Sequence, residues 1–154
     1  SGTDVQEKLI AASEVFANLL KPTFGPMGLD KMLYKTDGST AVTNDGAKIV
    51  SELLVKHPAA KMLVSMCQSQ EEACGDGVTT TMLLCGALLN EGQILLRKGL
   101  QPLTIIQGYR KSMQASLDML IEISTPLNND LLGYVAETAM IGKGAESALQ
   151  LLSR

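Results

Sequence analysis

The chain has no tryptophan, and aromatic residues make up only 3% of it. A core built without aromatic bulk must come from Leu, Ile, Val, Met and Ala, a composition that favours packed helices. There is a single histidine, His57, and the spacings of the three cysteines, Cys67, Cys74 and Cys85, match no zinc signature. That odd number, placed inside helical patterns, reads as buried free thiols in a cytosolic protein. The longest apolar run, Met82 to Leu89, is far too short to span a bilayer. No basic flank precedes an apolar stretch near Ser1, so no signal peptide is visible and the expected location is the cytoplasm. The missing initiator Met suggests processing or a cut boundary. A formal charge of −3 leaves no electrostatic footprint for nucleic acid or for an anionic membrane.

What is present is enough for one core. The 154 residues are 45% hydrophobic and 19% charged, which excludes disorder from low hydropathy. A first helix is expected from Asp4 to about Leu20, capped by Thr3, with Val5, Leu9, Ala12, Phe16 and Leu19 as its buried stripe. It must yield near Pro22, and Phe24-Gly25-Pro26-Met27-Gly28 reads as a turn. Lys31 to Lys35 and Thr40 to Thr43 read as the strands of a hairpin closed by Asp37-Gly38. Asn44-Asp45-Gly46 then opens a helix through about Val55. Another is expected from Pro58 to near Cys74-Gly75. The helix after Asp76 runs to Lys98-Gly99 and is apolar on nearly every side in its middle, which suits the centre of a bundle. Pro102 opens a helix with Ile106, Tyr109, Met113, Leu117 and Leu120 as its buried face, ending at Ser124-Thr125-Pro126. A last helix starts at about Asn129 and breaks at Gly142-Lys143-Gly144. The fold class is mainly α, a helical bundle with a small β-hairpin.

The segment Gly75-Asp76-Gly77-Val78-Thr79-Thr80-Thr81 stands between two long helices. A helix N-terminus has unpaired N–H groups and partial positive charge, and so binds anions. Glycines let the backbone come close to a phosphate, and the threonines add hydroxyls. Asp76 does not suit a bare phosphate, since both are negative, but it suits a Mg²⁺ lying between them. The plain structural reading makes Asp76 an ordinary N-cap and the glycines turn residues. No Gly-Lys-Ser/Thr follows at Walker A spacing, which argues against a small P-loop kinase, and a Rossmann fingerprint is also absent.

Three further segments bear on the choice. The stretch from Lys21 to Met32 holds a second glycine turn at a helix end. Thr43-Asn44-Asp45-Gly46 places a carboxylate at another helix start. Gly142-Lys143-Gly144-Ala145-Glu146 sets a lone Lys between glycines, where its ammonium could reach a terminal phosphate. Each is explained singly by a turn, a cap or a helix break. Jointly they supply amides, two carboxylates and a cation, the inventory for phosphoryl transfer.

All four segments, in this order, resemble the group II chaperonins, the archaeal thermosome and its eukaryotic cytosolic relatives. That family's phosphate loop reads Gly-Asp-Gly-Thr-Thr followed by Thr or Ser, and Gly75 to Thr81 matches it except at Val78. His57-Pro58-Ala59-Ala60-Lys61-Met62-Leu63 and Gly108-Tyr109 are similar too, and Gly142 to Glu146 resembles the archaeal version. The resemblance implies the N-terminal half of the equatorial, ATP-binding domain over residues 1–141 and the start of the intermediate domain over 142–154. The apical domain and the C-terminal equatorial half would be absent. It implies Mg²⁺ and ATP as cofactors, with Asp76 on the metal and Gly25 and Pro26 packed by the nucleotide. Gly77, Val78 (through its N–H), Thr79 and Thr80 would hold phosphate oxygens. Asp45 would be the catalytic residue, orienting the attacking water, and Lys143 would sense the γ-phosphate.

The implied activity is that of an ATP-dependent protein-folding chaperone. Its partners are other chaperonin subunits in a double ring, met partly through the hairpin, and unfolded proteins bound by domains absent here. Nucleic acid and membrane are not expected partners. The sequence departs from the family at Val78, at Met27 in place of a usual Lys and at Pro22 in place of a usual Ser or Thr. Those departures leave a second reading open, a non-catalytic scaffold or ring-assembly module with a decayed site. In isolation, a chain of this length is expected to be poorly stable or to self-associate through uncovered apolar surface. Analytical ultracentrifugation showing a monomer, with a sharp two-state melt, would contradict that expectation.

Overall fold

The computed structural model describes residues 2–35 and 37–141, and the chain divides into two compact units, Ser1–Lys98 and Gly99–Arg154. The 141/142 boundary expected between domains lies at the limit of the described residues, and Lys143 with its flanking glycines lies outside them. In the first unit the order is helix α1 (Gly2–Leu20), a 3-10 turn (Lys21–Thr23), strands β1 (Lys31–Tyr34) and β2 (Thr40–Thr43), and helices α2 (Gly46–Ser51), α3 (Pro58–Cys74) and α4 (Val78–Arg97). The second unit holds α5 (Pro102–Ile123) and α6 (Asn129–Met140). A helical architecture with one two-stranded antiparallel sheet is therefore what the described residues form. No helix among them is long and apolar enough to cross a membrane.

The core of the first unit is Phe16 and Leu20 from α1, Ile49 and Val50 from α2, Ala60, Leu63 and Cys67 from α3, and Val78 and Met82 from α4. Leu20, Ile49 and Met82 are fully enclosed. Helix α1 begins ahead of Asp4, so Thr3 lies within it and not at the position before its first residue. Of the expected stripe, Phe16 is buried and Leu9, Ala12 and Leu19 pack against the core, while Val5 is exposed; the buried positions also include Ile10, Ser13 and Leu20. Ser13 can be enclosed because its hydroxyl donates to the Ile10 carbonyl (2.7 Å). Opposite it on α4, a Cβ at Gly86 would come within 2.9 Å of Ala17 Cβ and 3.5 Å of the Ser13 carbonyl oxygen, so small residues set the approach of the two helices.

The hairpin forms as its turn residues direct, with Lys31 opposite Thr43, Met32 opposite Val42, Leu33 opposite Ala41 and Tyr34 opposite Thr40. Asp37 Oδ1 accepts from the Ser39 N–H and hydroxyl, which lowers the Asp37 pKa. Gly38 has φ +82°, which a side chain would resist. Glu52 receives Lys35 and Lys48 on the same oxygen, each at 3.1 Å, tying the hairpin's far end to α2. Those two ammonium groups, Lys35 foremost, lower the Glu52 pKa.

Helix α2 stops at Ser51, short of the expected Val55. Leu53 to Lys56 have no regular secondary structure, and burial alternates there, with Leu53 and Val55 packed on the core and Leu54 exposed. A two-residue period was read there as a helical one. Helices α3 and α4 have the expected extents, and His57 caps α3 by accepting the Ala59 N–H on Nδ1 (3.2 Å). The middle of α4 is not enclosed on all sides: Met82 and Gly86 are buried, but Leu84 and Leu88 are exposed. In α5 the expected inward face is open, with Ile106, Met113, Leu117 and Leu120 exposed and Ile105 buried. Helical spacing reveals a stripe but not the element that covers it.

Cys67, Cys74 and Cys85 are free thiols, but only Cys67 is buried as expected: Cys85 is half-buried and Cys74, at the end of α3, is exposed. Burial, with a smaller contribution from Cys85, pushes the Cys67 pKa up to about 11 from an ordinary 9.0. Because the folded value lies above the unfolded one, the stability this buried thiol contributes is complete below about pH 9 and is lost as pH rises towards 11. Denaturant midpoints of the wild type should therefore decline across that window, and Cys67→Ala should flatten the decline. An unchanged alkaline slope in the variant would assign it to other groups.

Candidate functional site

Helix α3 ends on Gly75, whose φ of +68° and N–H bond to the Glu71 carbonyl (2.7 Å) make a left-handed cap. Two residues later Gly77, at φ +87°, is the N-cap of α4. Having no side chain, Gly77 provides no cap to the first-turn amides of α4 at Val78, Thr79 and Thr80, which stay available to an external acceptor. Asp76 is therefore not the N-cap of α4. Its Oδ1 accepts the Gly77 N–H (2.6 Å), and the residue is exposed beside the helix start.

Val78 is almost fully buried and belongs to the core cluster. Its side chain anchors α4, and only its backbone can serve the loop. The three threonines that follow differ. Thr79 is half-buried against α2, Thr80 is exposed, and the Thr81 N–H closes the first helical turn on the Gly77 carbonyl (2.9 Å).

The helix that Asp45 caps meets the start of α4 at a glycine. At Gly46, the first residue of α2, a Cβ would collide with Thr79 Oγ1 and would lie 3.1 Å from the Thr79 N. The starts of α2 and α4 thus meet with no side chain between them. Asp45 caps α2, accepting the Lys48 N–H on Oδ1 (3.1 Å), while its own N–H donates to Thr43 Oγ1 (3.1 Å). It is exposed at the mouth of a cavity of about 370 Å³ between α2 and α3. Glu71 and Glu72 line the same cavity, so it is an unsuitable seat for phosphate.

The Gly25 turn lies at the end of α1, whose 3-10 extension packs against α4. Gly25 has φ +87°, the Gly28 N–H returns to its carbonyl (3.0 Å), and a Cβ at Gly28 would collide with the Thr23 carbonyl oxygen. Pro26 and Met27 at the tip are exposed, Met27 at 91%. Next to this turn, Lys21 and Phe24 line a cavity of about 420 Å³ with Leu83, Gly86 and Asn90 of α4. Among the described residues no cluster of three or more His, Cys, Asp or Glu could hold a metal by itself. A single exposed carboxylate beside uncapped amides suits Mg²⁺ shared with phosphate oxygens, since that ion is usually held by one or two carboxylates plus substrate phosphates.

The sequence reading missed Gln70. From inside α3 its Nε2 donates to the Asp76 carbonyl (2.9 Å), and no motif marks a glutamine six residues ahead of a loop.

The profile of the TCP-1/cpn60 chaperonin family matches residues 16–154. The chain belongs to that family. Among its curated relatives, thermosome subunit beta of Archaeoglobus fulgidus is 41% identical over 155 residues, covering 99% of this chain and 28% of the relative. Thermosome subunit alpha of Methanothermobacter thermautotrophicus is 42% identical over 153 residues, with the same coverage. The thermosome subunit of Methanopyrus kandleri is 41% identical over 155 residues, again 99% and 28%. This chaperonin chain thus spans little more than a quarter of the length of those relatives.

Within the chaperonin chain the Gly46–Thr79 approach is testable directly. Gly46→Ala should force α2 off the start of α4 and lower unfolding stability by about 1–3 kcal/mol, the usual cost of overpacking. Chemical denaturation checks this, and a wild-type midpoint would mean that the two helix starts are not held together.

Proposed function

We propose that this chain is the N-terminal segment of an ATP-hydrolysing chaperonin subunit and that it binds the phosphates of Mg-ATP. Residues 1–141 would belong to the equatorial domain and 142–154 to the start of the intermediate domain. The observation that carries the reading is the meeting of two helix starts at Gly46 and Thr79, which brings the helix that Asp45 caps against the helix whose first-turn amides have no side-chain cap. The amides of Val78, Thr79 and Thr80 are suited to phosphate oxygens, with the Thr80 hydroxyl exposed for a further bond, while the Gly77 N–H is held by Asp76 Oδ1. Asp76 would take the Mg²⁺. When bound, the metal neutralises the charge on the terminal phosphates.

Asp45 would orient the attacking water and accept its proton, the role open to a carboxylate placed near a terminal phosphate. Gly25 and Pro26 would lie by the nucleotide, and Lys143 would reach the γ-phosphate. The buried side chain of Val78 favours an intact loop over a decayed one, because a residue there can keep its N–H whatever it contributes to the core. The outward face of the hairpin, Met32, Tyr34 and Val42, is exposed and apolar, as a contact with a neighbouring subunit in a ring would require. Unfolded protein clients would be bound by other parts of the full-length subunit, working in the cytoplasm.

In the full-length subunit, Asp76→Ala should abolish Mg²⁺-dependent ATP turnover. Asp45→Asn should lower kcat by about 10²–10⁴ while nucleotide binding is kept. Unchanged turnover in Asp76→Ala would overturn the metal assignment. A wild-type subunit that binds no Mg-ATP in calorimetry would establish the scaffold reading in its place.

A further inference from the structure

We infer that Gln70 is a positioning residue for the Asp76 carboxylate, an inference that rests on the reading of Asp76 as the Mg²⁺ ligand. Asp76 stands between two glycines with positive φ, Gly75 at +68° and Gly77 at +87°. Glycine is the residue with the most backbone freedom to lose, so the orientation of this loop needs an anchor from outside it. Gln70 is that anchor. It is half-buried near the end of α3, and its Nε2 donates to the Asp76 carbonyl at 2.9 Å. The same amide covers Gly77, where a Cβ would lie 3.1 Å from Nε2.

The consequence passes through the peptide plane. The Asp76 carbonyl and the Gly77 N–H belong to one planar unit, so holding the oxygen also sets the direction of the N–H. That N–H is the group donating to Asp76 Oδ1 at 2.6 Å. Gln70 thus aims the carboxylate without touching it: carbonyl held, peptide plane set, N–H directed, Oδ1 fixed. An outer partner of this kind orients a metal ligand, and removing one commonly weakens metal affinity about 10–100-fold. The bond ties the body of α3 to the loop across six positions of sequence, independently of the Gly75 cap.

The test uses the full-length subunit, with Gln70→Met removing the donor at similar length. Calorimetry with ADP, titrated at a series of Mg²⁺ concentrations, should show about tenfold more Mg²⁺ needed for half-maximal enhancement of binding. ADP affinity without Mg²⁺ and the thermal midpoint should stay near wild type. Without any nucleotide, amide hydrogen exchange over residues 75–78 should quicken in the variant. A wild-type Mg²⁺ dependence in folded Gln70→Met overturns the inference, and so does an equal loss of affinity with and without Mg²⁺. Should the Met variant fail to fold, Gln70→Glu, polar and of the same length, makes the same comparison. Asp76→Ala separates the two levels: if it leaves the Mg²⁺ dependence intact, the metal assignment itself is wrong. If it abolishes that dependence while Gln70→Met has none of its expected effect, only the positioning role fails.

Discussion

Helix α4 has glycine where α1 lies against it, and much of the first unit follows from how near the two backbones can come. At Gly86 a single methyl group would press on Ala17 and approach the Ser13 carbonyl oxygen. The close approach lets Phe16 and Leu20 meet Met82, and it explains why the hydroxyl of Ser13 must be satisfied inside its own helix. With α1 held there, Val78 and Met82 become the part of α4 around which α2 and α3 also pack. Apart from Phe16 the core cluster holds no aromatic side chain, so close approach of backbones and aliphatic packing stand in for the area that aromatic side chains would bury.

The same economy of side chains shapes the candidate site. Gly46 removes the one group that would hold α2 away from Thr79, and Gly77 removes the one group that would cap α4 from within. The first absence lets the helix capped by Asp45 meet the start of α4, and the second leaves the first-turn amides of α4 without a side-chain cap. A loop with two left-handed glycines is then stabilised from α3, through the Gln70 bond to the Asp76 carbonyl. Rigid helices carry the orientation, while the glycines provide the access.

Part of this was legible in the residues. The glycine turn before α4, the capping role of Asp45, the hairpin turn at Asp37-Gly38 and the starts of α3 and α5 at prolines all follow from local chemistry within a few residues. The errors share a different cause. Apolar spacing found most of the α1 face but not Ser13, a polar residue whose hydroxyl finds a local acceptor, and it failed on α5, where Leu117 is exposed because no described element covers it. The end of α2 was overrun because Leu53 and Val55 obey a strand's period after a helix. Gln70 was invisible because its partner is reached only once α3 and the loop have folded together.

The sequence by itself determined where helices begin and stop at prolines and glycines, and it carried the family through motifs whose order and spacing are particular. Those features depend on backbone conformation and hydrogen bonding between near neighbours, which a linear pattern encodes. Only the tertiary structure decided which side of each helix is buried, that Val78 anchors the core, and that the starts of α2 and α4 touch at Gly46 and Thr79. Those outcomes depend on steric fit between residues distant in the chain. Whether a methyl group fits at position 46 is set by where Thr79 comes to rest, and no spacing rule along the chain contains that distance.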